Sequence, residues 1–189
     1  GLPFIPKIKK PILAMVRVFH RTSASKVLIA TWNVNSIRTR LQQVKAWLED
    51  IQPDVLCLQE TKVDNPFFPK AEIEECGYEV CFDGQKAYNG VAIISRLPIE
   101  DLRLGLNGGL KDDHHANALS EQKRVISALI NGIRIVNLYV PNGSDLDSPK
   151  YEYKLKWLEC LHRYLTIQTS NREPICIVGD FNIALEDRD

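Results

Sequence analysis

Apolar and polar positions alternate between two periods along most of this chain. Residues 27–32 form a short apolar, β-branched run, the pattern of a buried strand. Leu41, Val44, Trp47, Leu48 and Ile51 then recur at helical spacing and give one apolar stripe, which Pro53 ends. Residues 55–58 predict a second buried strand. Pro69 opens a short acidic helix that Gly77 closes. Strands are expected at 78–82 and 91–95, and Pro98 separates the latter from another near 99–104. Residues 105–121, rich in Gly, Asn, Asp and His, read as an exposed loop. Residues 125–130 and 133–139 flank Asn131-Gly132, a strong hairpin signal. Leu155, Leu158, Cys160, Leu161 and Leu165 mark a helix over 150–167, and residues 175–179 a last buried strand. Strands and helices interleave, so the expected class is mixed α/β.

At 189 residues and 44% hydrophobic content the chain falls in the size range of one domain. No internal repeat, low-complexity tract or linker interrupts it. The formal net charge is zero but unevenly spread. Residues 1–26 hold Lys7, Lys9, Lys10, Arg17, Arg21 and Lys26 and no acid, which leaves 18 basic against 24 acidic groups in 27–189, a net of −6. An acidic body argues against non-specific nucleic-acid binding, so any such contact must come from a local patch or through metal ions. The basic segment is expected to be a disordered tail or a leader, and it has the composition of an organelle transit peptide. The single methionine, Met15, leaves open an upstream read, a start beyond this sequence, or a cleaved leader. Five cysteines without a C-x-x-C pair suit a reducing compartment. No stretch approaches the roughly 18 uncharged apolar residues of a membrane helix.

Three polar clusters sit at strand ends. Asn33-Val34-Asn35 follows the first strand, Gln59-Glu60-Thr61-Lys62 the second, and Gly179-Asp180-Phe181-Asn182 the last. One such cluster is ordinary turn chemistry. Three at three strand ends match the rule that sites gather beyond the carboxyl ends of strands in open α/β sheets. If those strands are neighbours, Glu60, Asp180, Asn182 and Asn33 converge as a hard, all-oxygen donor set, the preference of Mg²⁺ or Mn²⁺. Lys62, on the same side of an extended segment as Glu60, is placed to hold a phosphate oxygen.

The strings Thr31-Trp32-Asn33-Val34-Asn35-Ser36-Ile37-Arg38, Gln52-Pro53-Asp54-Val55-Leu56-Cys57-Leu58-Gln59-Glu60-Thr61-Lys62, Tyr88-Asn89-Gly90-Val91-Ala92-Ile93, Asn137-Leu138-Tyr139-Val140-Pro141-Asn142-Gly143 and Gly179-Asp180-Phe181-Asn182-Ile183 resemble, in order and spacing, the exodeoxyribonuclease III and AP endonuclease family, of the bacterial exodeoxyribonuclease III type. The likeness runs over 27–189. It implies an α-β-β-α sandwich of two packed mixed sheets. It also implies Mg²⁺-dependent hydrolysis 5′ of abasic sites in duplex DNA and removal of 3′ nucleotides or blocking groups. On this resemblance Glu60 is the principal metal carboxylate with Asn33 beside it. Asp180 orients or deprotonates the attacking water or protonates the leaving group, and Asn182 positions a neighbouring group or metal-bound water. Tyr139 contacts phosphate, while Arg38, Tyr88, Arg124 and Asn142 touch the DNA backbone. A monomer is implied, cytoplasmic in a bacterium, or in an organelle if residues 1–26 are a transit peptide.

The family also uses a late aspartate and a terminal Ser-Asp-His, and none of His20, His114, His115 or His162 fits that role. Residues 27–189 are therefore expected to be a partial domain with an incomplete second sheet, marginally stable and with little activity of its own. Asp112-Asp113-His114-His115 reads as a solvated loop. Two other readings stay open: a related phosphodiesterase acting on a non-DNA substrate, and an inactive DNA-binding remnant.

Overall fold

The computed structural model describes residues 9–19, 24–106, 119–143, 148–170 and 172–182. Two sheets lie face to face with helices on their outer surfaces, the expected α-β-β-α architecture. The first sheet has five strands: β1 (Ile12–Phe19), β2 (Ala24–Asn33), β3 (Val55–Gln59), β4 (Glu79–Asp83) and β5 (Val91–Ser95), in the order β1-β2-β3-β5-β4. The second has four: β6 (Glu100–Leu104), β7 (Val125–Ile130), β8 (Ile133–Tyr139) and β9 (Ile175–Asp180), in chain order. Both are mixed. β2 runs parallel to β3 and β8 parallel to β9, while the other pairs are antiparallel.

Strand alternation builds the middle layer. Val27, Ile29, Val55, Cys57, Val91 and Ile93 face inward from one sheet and meet Ile126, Ala128, Ile130, Ile133 and Ile135 from the other. Burial pushes the Cys57 thiol well up and that of Cys81 to about 12, so these cysteines act as small apolar residues. The outer face of the first sheet carries Ala30, Leu56, Leu58, Ala92 and Ile94 against α1 (Ile37–Ile51) and α2 (Lys70–Glu74). Ser36 caps α1 by accepting from the Thr39 N–H, and Gln52 closes it in the left-handed region at φ 51°. α3 (Pro149–Ser170) covers the second sheet with Trp157, Cys160, Leu161 and Tyr164. No helix among the described residues is long and apolar enough to cross a membrane.

One expectation is corrected. The basic segment read as a disordered tail supplies β1 and the first residues of β2. Residues 12–19 are apolar and β-branched enough to pair residue for residue with β2, from Ile12↔Thr31 to Phe19↔Ala24. Charge composition concealed that strand. The Asn131-Gly132 hairpin holds as expected, with positive φ at both residues (49° and 74°), as a type I′ turn requires.

The apolar middle layer contains one polar bridge. Asn137 on β8 is fully buried, and its Nδ2 donates to the Leu58 and Ala92 carbonyls of the opposite sheet, both at 2.9 Å. Its Oδ1 accepts from Gln59 Nε2 at 2.8 Å, and Gln59 also donates to Thr31 Oγ1 at 2.9 Å. Asn137→Leu strands two carbonyls and an amide in a dry interior, at about 1–3 kcal/mol for each unsatisfied group before relaxation. We expect a net loss of about 3 kcal/mol, a fall in Tm of roughly 6–12 °C for a chain this size, read by urea and thermal unfolding. An unchanged midpoint refutes the bridge as a stabilising contact.

β9 reaches the site over a close approach. Gly179 has φ 145°, and a Cβ there would lie 1.9 Å from the Leu138 carbonyl oxygen. Gly179→Ala therefore forces β9 away from β8, at a cost of about 1–3 kcal/mol. The expected reading is a Tm lower by roughly 2–10 °C; a variant as stable as the parent would show that the strand has slack.

Candidate active site

The ends of β2, β3, β8 and β9 lie side by side at one edge of the sandwich. The ladders place Asn33 opposite Gln59 and Tyr139 opposite Asp180. Beyond β3 the chain reverses sharply. Glu60 and Lys62 both take φ 53°, and Asn35 and Asn182 take 43° and 46°, all in the left-handed region. Backbone bonds fix these turns: the Glu60 carbonyl accepts from the Ser36 N–H at 2.8 Å and the Thr61 carbonyl from Ile37 at 3.1 Å. The start of α1 thus clamps the loop that carries Glu60.

The Tyr139 hydroxyl donates to Glu60 Oε1. Burial and that neighbouring carboxylate push the phenol well above its ordinary range, so Tyr139 is a neutral hydrogen-bond donor. Arg124 lies over its ring, with Cζ 4.8 Å from the centroid, and donates to the Tyr139 carbonyl at 3.2 Å. Asp180 collects donors on both oxygens. Asn33 Nδ2 reaches Oδ2 at 2.8 Å, the Lys9 ammonium binds the same oxygen, and the Asn182 N–H reaches Oδ1 at 3.1 Å. Burial alone raises the Asp180 carboxyl, but the bonds from Lys9, Asn33 and Asn182 outweigh it and hold the group below its ordinary value. The Asn182 side chain donates to the Val140 carbonyl at 2.6 Å, which ties the end of β9 to that of β8.

Glu60, Tyr139, Asn33, Asp180 and Asn182 are thereby brought together. Two clefts flank them and share Asn142. One of about 500 Å³ is lined by Asn33, Gln59, Asp180 and Asn182, and the other of about 580 Å³ by Tyr88, Arg124, Tyr139 and Tyr153. Tyr88 is 70% exposed at the rim of the second. Arg38 stands exposed on the first turn of α1. Lys62 departs from its expected geometry. The segment is turned rather than extended, and its ammonium bonds Asn35 Oδ1 at 2.5 Å. Asp112 to His115 and Ile183 lie outside the described residues.

A divalent ion fits only part of the expected donor set. Glu60 offers a carboxylate with one oxygen bonded to a phenol, and Asn33 an amide oxygen that, among the described residues, accepts only the Asn35 N–H, at 3.1 Å. These are hard donors suited to Mg²⁺ or Mn²⁺ with water completing the shell. Asp180, by contrast, spends both oxygens on protein donors. Among the described residues no group of three or more His, Cys, Asp or Glu side chains gathers as a metal cluster. Lys9 and the Gln59–Asn137 bridge were not picked out from sequence. Lys9 sat in a segment read as tail, and Asn137 in a strand whose every residue is buried.

The chain is 34% identical over 164 residues to exodeoxyribonuclease III of Haemophilus influenzae, covering 84% of this chain and 58% of that protein. It superposes on an AP endonuclease from Archaeoglobus fulgidus with a TM-score of 0.75 and 46% identity, over 84% of this chain and 58% of that one. The 3′ phosphatase NExo from Neisseria, bound to a product DNA hairpin, matches with a TM-score of 0.74 and 43% identity, over 84% of this chain and 59% of that one. The chain thus spans less than two thirds of the length of these relatives. Its residues 30–189 match the model of the endonuclease/exonuclease/phosphatase family, and the chain belongs to that family.

Proposed function

We propose that this chain carries the site of a divalent-metal-dependent DNA-repair phosphodiesterase. It cleaves duplex DNA 5′ of abasic sites and removes 3′ nucleotides or blocking groups. The observation that carries this reading is the meeting of two differently dressed carboxylates at neighbouring strand ends, Glu60 under a phenol and Asp180 under amide and ammonium donors. Relatives described as exodeoxyribonuclease III and as a 3′ phosphatase on a DNA hairpin support the substrate class. An abasic nucleotide has no base to stack or pair, so its extrusion from the helix is cheap and favours selection.

Glu60 and Asn33 hold the metal, Mg²⁺ or Mn²⁺. When bound, the ion neutralises phosphate charge and stabilises the leaving oxygen. Asp180 is ionised at neutral pH, because its donors favour the carboxylate, and so accepts a proton from the attacking water rather than protonating the leaving group. Asn33 and the Asn182 N–H fix the direction of its lone pairs. Tyr139 keeps its proton, so it donates to a phosphate oxygen and does not act as a nucleophile. Arg124 holds the Tyr139 ring from behind, and Arg38, Tyr88, Asn142 and Lys62 contact the flanking backbone.

The test is nicking of a labelled duplex with one abasic site, with Mg²⁺, Mn²⁺ or EDTA. Chelation is expected to abolish cleavage. Glu60→Gln and Asp180→Asn each lower kcat by about 10²–10⁴. Tyr139→Phe, which removes one preorganised donor, lowers it by about 10²–10³. Cleavage that survives EDTA, or full activity in Glu60→Gln, would sink the mechanism. Retention of DNA without turnover in any divalent cation would instead favour a binding-only protein.

A further inference from the structure

The cleft beside Asp180 has an unexpected wall. Lys9 and Lys10 are the only cations among its lining residues, and Asp180 is the only carboxylate. Both lysines precede β1. The strand's register against β2 begins at Ile12↔Thr31, so the three residues before it run past the end of β2, where Asn33 stands. A second anchor holds this stretch, because the Trp32 indole N–H donates to the Lys9 carbonyl at 2.8 Å. The ammonium of Lys9 then reaches Asp180 Oδ2, the oxygen that also accepts Asn33. Backbone and side chain are thus both fixed, although the Lys9 side chain is 55% exposed while that of Asp180 is only 11% exposed.

Charge explains what such a group does. Residues 27–189 carry a net of −6, and the site itself presents Glu60 and Asp180. A phosphate approaching those two carboxylates meets repulsion that the bound metal offsets only in part. A lysine ammonium has three N–H donors and no acceptor. One donor satisfies Asp180, which leaves others for a ligand in the open cleft that Lys9 and Lys10 line.

We propose that Lys9 is a phosphate-contacting residue of the site, with Lys10 as a weaker neighbour. The stretch leading into β1 supplies the cationic wall that the acidic body lacks. The inference rests on the DNA reading above and adds a substrate contact to it.

The experiment measures binding of the whole chain to a fluorescent duplex carrying a tetrahydrofuran abasic analogue. Anisotropy is followed in EDTA, which prevents turnover, across a series of NaCl concentrations. A lysine that neutralises one phosphate adds close to one unit to the slope of log affinity against log salt. Lys9→Gln is expected to weaken binding and reduce that slope by about one, and Lys9→Arg to restore both. Arg17→Gln removes an exposed charge further along the same strand, opposite Lys26, and leaves the slope unchanged. Matching far-UV circular dichroism spectra establish that the variants keep the fold. If the parent binds and Lys9→Gln binds equally well, the phosphate contact is refuted while the DNA reading stands. Tighter binding by Lys9→Gln also overturns it, since Lys9 then plugs the cleft. A parent chain that binds no duplex overturns both.

Discussion

The buried amide pair Gln59–Asn137 is the constraint on which the site depends. Two sheets with apolar inner faces can slide over one another at little cost, because the hydrophobic effect is non-directional. A hydrogen-bonded amide pair in a dry layer is directional and costly to break. Asn137 grips two carbonyls of the opposite sheet and the Gln59 amide, and Gln59 also reaches Thr31 on β2. Strands β2, β3, β5 and β8 are locked at one level. That level lies one residue before Glu60 and two before Tyr139, so the separation of those side chains is set by the bridge rather than by the loops.

The turn after β3 completes the geometry. Gln59 points inward, so in a continued strand Glu60 would face the helical layer, away from Tyr139. Its left-handed backbone breaks the alternation and returns the carboxylate toward the inner side, where the phenol meets it. A left-handed glutamate is unfavourable alone. The bonds from Ser36 and Ile37 to the Glu60 and Thr61 carbonyls hold it there, so the N-terminus of α1 maintains the site as well as the packing of the first sheet.

This explains which parts were legible in sequence. The strands, the Asn131-Gly132 hairpin and the stripe of α1 follow from local periods and emerged close to where the pattern put them, although β9, expected to be buried, is only half-buried, with Ile177 exposed. The convergence of Asn33, Glu60 and Asp180 was legible because each closes a strand. Asn137 was not, since every residue of β8 is buried and a fully buried strand has no alternation to interrupt. Strand β1 was concealed by composition. The basic residues in and around it suggested a tail, whereas pairing depends on its apolar, β-branched residues. The extended geometry expected around Lys62 failed for a third reason, because it does not survive two left-handed residues.

The two carboxylates illustrate how one fold separates chemical roles through surroundings alone. Among the described residues Glu60 has one hydrogen-bond donor, on one oxygen, and its other oxygen is open to a cation. Asp180 has donors on both oxygens, one of them charged, and keeps fewer free lone pairs than Glu60. In the proposed reaction the first is therefore the metal's ligand and the second the water's base. A cation beside Asp180 stabilises its ionised form without taking up a metal's coordination positions. That cation comes from the stretch that precedes β1, outside the two packed faces. The charge that the acidic body cannot supply from its core is supplied from its rim.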